Sequence, residues 1–189
     1  PYGTEEFSVL RKEDYYYIDK SLYIKNVFEN SASVILFTRP RRFGKTLLMD
    51  MFATFLTIGK DGSDNREYKE KLFEGLEILK DKEFTDEYMG QFPVIFISLK
   101  SAYGETFEQA YDALARVVVS LFSGYDFLLN SKNLQKKDLE NYNKYLDREF
   151  LCDINSIGYV KEALKFLSNC LYKHYKKKVI LLIDEYDVP

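Results

Sequence analysis

The 189-residue sequence contains no tryptophan, one histidine and two cysteines, and it has only nine glycines and four prolines. So little glycine and proline argues against a low-complexity linker or a disordered tail. Cys152 and Cys170 show no CxxC spacing and His174 is the one histidine, so we expect no metal site built from Cys and His. No apolar run approaches the length of a membrane span, and no basic-then-apolar signal opens the chain. We expect a soluble cytoplasmic protein with reduced thiols and no membrane partner.

Acidic residues slightly outnumber basic ones, 30 to 27, which gives a net charge of −3. This balance argues against a protein coated in basic surface for nucleic acid, and it leaves room only for a small basic patch. Hydrophobic residues make up 46% of the chain, enough for one sizeable core, and no domain boundary or repeat is visible within residues 1–189. The sequence begins at Pro1 rather than Met and stops soon after an apolar run, so we expect a piece of a longer protein.

Apolar runs of strand length alternate with stretches of helical periodicity. The runs predict buried strands at Ser33–Phe37, Pro93–Ser98 and Val179–Ile183. Helices are predicted after Lys45, after Thr106 and from Ile157, where apolar residues recur every three to four positions. A short strand at Tyr15–Ile18, a helix capped by Asp19 or Ser21 and a surface loop from Gly59 to about Glu70 complete the prediction. This alternation predicts an α/β fold with a parallel sheet and right-handed crossovers.

The segment TRPRRFGKTLL, Thr38 to Leu48, joins the first predicted strand to the helix after Lys45. Its Gly-Lys-Thr triplet partly matches the phosphate-binding pattern GxxxxGK[ST], whose first glycine is replaced here by Arg39. In such a loop, backbone N–H groups and the helix N-terminus face the phosphates, while Lys adds charge and Ser or Thr binds Mg²⁺. The candidate nucleotide-binding residues are Arg41, Arg42, Phe43, Gly44, Lys45, Thr46 and Leu47, with Thr46 also a candidate metal ligand.

A second motif ends the last predicted strand, where Asp184 and Glu185 follow the apolar run. Ligands of open α/β folds bind at the carboxyl ends of the strands, and the strand at 33–37 is predicted to deliver its loop to that same edge. Asp184 can there hold the Mg²⁺ that Thr46 also serves, and Glu185 can orient or deprotonate an attacking water. The alternative is a simple acidic turn after a core strand.

Four segments, PYGTEEF, YYYIDKS, TRPRRFGKTLL and LIDEYDVP, resemble the bacterial AAA-ATPase-like domain. That family occurs in many gut and anaerobic bacteria, commonly followed by a PD-(D/E)XK nuclease-like domain. The resemblance runs from the first residues to the last, and it is specific because the arginine-rich loop and the DEYDVP ending occur together in the right order. The loop also resembles the GPRRxGKT loop of archaeal ATPases of the STAND type, whose first glycine stands at the position of Arg39.

The resemblance implies a P-loop NTPase core of the additional-strand catalytic Glu type, with ATP and Mg²⁺ as cofactors. Gly44, Lys45 and Thr46 match the Walker A positions, and Asp184 and Glu185 match Walker B. Such a core needs five parallel strands and three are predicted here. We therefore expect a three-layer P-loop core truncated after the Walker B strand, with weak or absent ATPase activity from residues 1–189 alone.

Three functions stay open. The first is an ATPase that couples nucleotide state to a downstream effector such as a nuclease-like domain, with Lys45 and Glu185 as catalytic residues. The second is a nucleotide-binding switch or scaffold with little hydrolysis, favoured if Arg39 distorts the loop. The third is a nucleic-acid or protein interaction module that uses the arginines. Arg41 and Arg42 could contact phosphates, pair with acids of a partner domain or face water. Contact with nucleic acid through a downstream domain, and self-association, are likewise open.

Overall fold

A computed structural model describes residues 4–38, 40 and 43–187. These residues form α1 (Phe7–Lys12), α2 (Leu22–Glu29), α3 (Lys45–Leu56), α4 (Arg66–Phe73), α5 (Lys82–Tyr88), β1 (Val94–Ser98), α6 (Phe107–Ser123), α7 (Lys136–Leu146), α8 (Arg148–Cys152), α9 (Ile157–Tyr175) and β2 (Ile180–Asp184). Short 3₁₀ turns lie at Glu77–Lys80, Asp126–Asn130 and Ile154–Ser156. No helix in this part of the chain is both long and apolar enough to cross a membrane.

The chain divides into two compact units, Pro1–Phe96 and Ile97–Pro189. Strand β1 runs across the division and pairs with β2 in a two-stranded parallel sheet. The pairing extends to the carboxyl ends of both strands, where the N–H of Leu99 donates to the carbonyl oxygen of Asp184 at 3.0 Å. Helices and a small parallel sheet together agree with the predicted α/β class.

The first unit is built on an aromatic core around α3. The Phe55 ring packs edge-on against Phe73, with 5.3 Å between centroids, and is stacked with Phe84 at 6.2 Å. Phe7 packs on Phe73 at 4.8 Å, and the backbone N–H of Phe7 donates to Asp50 Oδ2 of α3 at 2.7 Å. The first N–H groups of a helix have no partner within the helix. The hydrogen bond to Asp50 gives the N–H of Phe7 an acceptor and connects α1 to α3.

One buried lysine closes the loop between α3 and α4. Lys69 is 4% exposed, and its ammonium donates to the carbonyl oxygens of Thr57 and Asp64. Burial lowers the pKa of Lys69 to about 8. Gly90 lies against the same loop with φ 70°, and a Cβ there would lie 2.1 Å from the backbone oxygen of Asp64. The loop is therefore anchored to the unit at Thr57 and Asp64, while residues 60–63 are exposed, as expected for a surface loop.

The second unit is a cluster of helices around α6 with buried tyrosines between them. The Tyr142 hydroxyl donates to the carbonyl oxygens of Phe122 and Tyr125, at 2.9 and 3.0 Å, where α6 ends. Burial raises the pKa of Tyr142 strongly. The Tyr145 ring stacks on Phe122 with 4.2 Å between centroids. Tyr142 thus satisfies backbone groups at the end of α6, whereas the Tyr145 hydroxyl donates to the carbonyl oxygen of Tyr159 on α9, and both rings fill the core.

Most predicted helices and two of the three long strands are confirmed. The apolar residues predicted to face the core of α3 are all buried: Leu48, Met51, Phe52, Phe55 and Leu56. Helix α6 begins after Thr106, whose hydroxyl accepts the N–H of Gln109 as the capping pattern predicted. Strands β1 and β2 match the predicted runs within one residue at each end.

The predicted strands at 33–37 and 15–18 are wrong. Neither segment is a strand, and Val34 and Leu36 are 86% and 61% exposed, as are Tyr16 at 91% and Ile18 at 64%. An apolar run becomes a strand only when a neighbour pairs with its backbone, and both strands in the described residues pair with each other. The loop predicted to reach Glu70 also ends earlier, because α4 already begins at Arg66.

Candidate functional site

Helix α3 begins at the Gly-Lys-Thr triplet, with Gly44 as N-cap and Lys45 as its first residue. Gly44 has φ 74° and ψ 33°, in the left-handed region, which costs an L-residue about 1–2 kcal/mol and costs glycine little. No side chain caps this helix, and its first turn carries no acidic residue. The helix N-terminus therefore keeps the partial positive charge and the outward N–H groups that favour an anion.

The core holds this helix start in place. Met51 and Phe55 are completely buried, and the intrahelical ladder begins with the N–H of Leu48 donating to the carbonyl oxygen of Gly44 at 3.0 Å. In an α-helix the N–H groups of the first turn precede this ladder and point out of the end of the helix. The direction of these N–H groups is therefore fixed by the orientation of α3, which the packing of its buried residues Met51 and Phe55 determines.

The other predicted loop residues surround this end of the helix. Lys45, Thr46 and Leu47 are half-buried, and Phe43 is 62% exposed. Arg39, Arg41 and Arg42 lie outside the described residues, so the predictions for them stay predictions.

The second motif lies at the carboxyl end of β2. Asp184 is 4% exposed, and it is the last residue of a strand whose neighbour Leu182 is also buried. Glu185 follows with φ 52°, a left-handed conformation that costs a residue with a side chain on the order of 1 kcal/mol or more. Tyr186 is 54% exposed. Asp14, Asn65 and Lys176 share this conformation, so it does not distinguish a functional pair from an acidic turn, and the burial of Asp184 is the observation that favours a functional interpretation.

The donor types suit Mg²⁺ better than a metal that needs a closed protein cage. No group of three or more His, Cys, Asp or Glu side chains among the described residues is arranged to hold a metal. Mg²⁺ keeps several waters and is usually bound through one or two protein oxygens together with substrate phosphates. The Thr46 hydroxyl and the Asp184 carboxylate are such oxygens. Thr46 belongs to the first unit and Asp184 to the second. The strand predicted at 33–37 to bring both motifs to one sheet edge does not form, so a metal site shared by Thr46 and Asp184 stays a prediction from the two motifs alone.

A turn between the first two helices carries a residue that the sequence did not single out. The Asp19 carboxylate accepts the N–H groups of Ser21 and Glu77, each at 2.8 Å. Burial alone would raise the pKa of Asp19, and these two N–H donors hold it below its ordinary value. The Ser21 side chain, completely buried, accepts the N–H of Ile78 at 3.2 Å. Asp19 and Ser21, predicted as helix caps, therefore fasten this turn to the 3₁₀ turn at Glu77–Lys80.

Lys20 stands between these two anchors and points toward α3. A Cβ placed on Gly44 would lie 3.8 Å from Nζ of Lys20. Lys20 lies in the segment YYYIDKS, part of the family resemblance, and the sequence alone predicts no role for it. A lysine between an aspartate and a serine before a helix was the available signal, although its approach to Gly44 is a tertiary contact that no local pattern shows.

The family model described as "Predicted AAA-ATPase" matches residues 1–189. An uncharacterized protein in the vnfD 5'region of Azotobacter chroococcum mcd 1 is 25% identical over 190 residues. That alignment covers all of this chain and 29% of the relative, so the chain spans less than a third of that protein's length. No solved structure matches the chain. Because the family model covers the chain from end to end, this protein belongs to the AAA-ATPase-like family.

Proposed function

We propose that this chain is the nucleotide-binding part of a P-loop ATPase, that it binds ATP with Mg²⁺, and that it belongs to a three-layer core completed by further strands. The observation that carries the proposal is the left-handed Gly44 directly before a helix that starts with Lys-Thr, in a chain of this family. A glycine in that conformation lets the backbone approach a phosphate closely, and the helix start supplies the N–H donors.

Each residue has a distinct role in this proposal. Lys45 provides a positive charge for the β and γ phosphates, while the backbone at Gly44 and Leu47 lies along them. The Thr46 hydroxyl and the Asp184 carboxylate hold the metal, whose charge polarises the phosphate oxygens when it is bound. Glu185 orients the attacking water and accepts its proton. The position of Glu185 directly after the buried Asp184, at the carboxyl end of β2, supports this role.

The first test is ATP-Mg²⁺ binding by calorimetry, on this chain and on Lys45→Ala. We expect measurable binding by the wild type and a loss of at least about 100-fold in the variant, because a charge-assisted contact to phosphate is removed. The matched control is Lys71→Ala, which removes the same charge from an exposed position on α4. Equal binding by wild type and Lys45→Ala would overturn the phosphate-loop assignment.

Hydrolysis and its use need a longer chain. We propose that hydrolysis by a protein extended past Pro189 depends on Glu185, and that nucleotide state is coupled there to a downstream effector such as a nuclease-like domain. In that protein Glu185→Gln should retain ATP binding and stop phosphate release, measured in single-turnover assays. Phosphate release that is unchanged in Glu185→Gln would remove this residue from the mechanism.

A nucleotide-binding switch with little hydrolysis is the second candidate, favoured by Arg39 at the position where such loops have glycine. A switch would bind ATP tightly in the extended protein, with no phosphate release in either wild type or Glu185→Gln. Fast phosphate release by the wild type, with none by Glu185→Gln, would show that the extended protein is an ATPase.

A further inference from the structure

Hydrogen bonds fix the backbone on both sides of Lys20. Before it, Asp19 accepts the N–H of Glu77 at 2.8 Å; after it, Ser21 accepts the N–H of Ile78. The N–H of Lys20 itself donates to the Tyr17 hydroxyl at 3.3 Å. That hydroxyl in turn donates to Met51 Sδ of α3 at 3.0 Å. The Lys20 side chain thus leaves from a turn that is tied to the same helix it approaches.

The positive charge of Lys20 lies at the N-terminus of α3, where a positive charge lowers the stability of the fold. Lys20 brings its ammonium near Gly44 at the positive end of α3, where Lys45 already carries a second positive charge. Cations are unfavourable at a helix N-terminus, where Asp and Glu are the usual residues. Yet α3 has no acid in its first turn, and the described residues give Lys20 no ion pair. Among the described residues, neither Lys20 nor Lys45 forms an ion pair with a carboxylate.

We propose that Lys20 is a second phosphate-binding lysine, which contacts the nucleotide phosphates at Gly44 alongside Lys45. This inference rests on the proposed function, because it assigns a further residue to the same phosphate site. An anion at the N-terminus of α3 would be balanced by both ammonium groups, which explains why a lysine is held there by a turn with three anchors. In the segment YYYIDKS, Tyr17, Asp19 and Ser21 then position the turn, and Lys20 binds the nucleotide phosphates.

Calorimetric titration of ATP-Mg²⁺ tests this on four proteins: wild type, Lys20→Gln, Lys20→Arg and Lys45→Ala, with Lys71→Gln as the matched control. We expect Lys20→Gln to bind about tenfold more weakly, as for the loss of one charged hydrogen bond, and Lys71→Gln to bind as wild type. Lys20→Arg should recover most of the affinity, since the positive charge is kept. Thermal unfolding without nucleotide should show the Tm of Lys20→Gln unchanged or raised, because an unfavourable charge has been removed.

The outcomes separate this inference from the proposed function. Loss of binding in Lys45→Ala together with wild-type binding in Lys20→Gln overturns the role of Lys20 and leaves the phosphate loop intact. No binding by the wild type overturns both. A lower Tm in Lys20→Gln, with affinity not recovered in Lys20→Arg, makes Lys20 a structural residue and overturns the inference. Weaker binding with an unchanged or raised Tm and recovery by arginine supports it.

Discussion

The two candidate motifs are held very differently. Helix α3, which starts at Lys45, has five buried residues and a fully buried Phe55 at its centre. Strand β2, which ends at Asp184, has buried Leu182 and Asp184, while Leu181 is 41% exposed. Each motif also contains a left-handed residue, glycine at 44 and glutamate at 185. The start of α3 at Gly44 is therefore held by a core, in a backbone conformation that costs glycine little, whereas the acidic pair has fewer buried neighbours and contains a non-glycine residue in the left-handed conformation.

The largest expected change in the free energy of unfolding compares the packing around α3 with the packing around β2. Phe55→Ala should lower the free energy of unfolding by about 3–5 kcal/mol, because a fully buried aromatic ring leaves a cavity. Leu182→Ala should lower it by about 2 kcal/mol, since its strand is partly open to water. Urea unfolding followed by circular dichroism measures both, with Phe107→Ala as control because Phe107 is 61% exposed. Equal losses for the two core variants would contradict the comparison.

A pH series examines the first unit alone, through its buried lysine Lys69. The folded pKa of Lys69 is about 8, below its ordinary value of 10.5, so the unfolded chain binds more protons between those two pH values. Stability contributed through Lys69 should therefore increase as pH rises from about 8 to 10.5, by on the order of 2 kcal/mol.

The measurement compares unfolding free energies of wild type and Lys69→Met at pH 7.5, 9 and 10. Other lysines and tyrosines titrate in both proteins and cancel in the difference. The difference should move in favour of the wild type with rising pH, and a difference independent of pH would mean that Lys69 is charged at no extra cost.

The smallest effects compare the two left-handed residues. Gly44→Ala should lower the free energy of unfolding by about 1 kcal/mol, because a Cβ there would make an ordinary 3.8 Å contact with Lys20 Nζ and the backbone conformation is the main cost. Glu185→Gly should change it by less than about 1 kcal/mol, in the stabilising direction, because strain is relieved and chain entropy partly offsets the gain. Chemical denaturation of the two variants in parallel is sufficient. Destabilisation by Glu185→Gly would show that its backbone is not strained.

Local patterns were enough to predict the elements whose apolar period is strong. The core face of α3 and the strands β1 and β2 follow from spacing alone, as does the capping of α6 by Thr106. Helix α4 was missed because its sequence REYKEKLF is mostly charged, and its core contacts come from Leu72, Phe73 and the buried stem of Lys69. The helix is amphipathic but polar overall, and its buried lysine counts as a surface residue in a sequence pattern.

The sequence did not predict which strands pair with each other or which distant residues lie close together. The segment 33–37 has the composition of a buried strand, but a strand depends on a neighbour that composition does not supply. The candidate site shows the same limit: Gly44, Lys45, Asp184 and Glu185 were found by motif, whereas Lys20 is brought near Gly44 only by the turn anchored at Glu77 and Ile78. Anchoring contacts span more than 50 residues of sequence, so no local pattern contains them.

The exposed segment at 33–37 has a practical consequence for handling the protein in solution. Val34 and Leu36 present apolar side chains on a stretch with high β propensity and no charge, the composition from which aggregates form by edge pairing. We expect this segment to limit the concentration at which the chain stays monodisperse. A lysine at position 34 should raise that limit, and light scattering across a concentration series would show it.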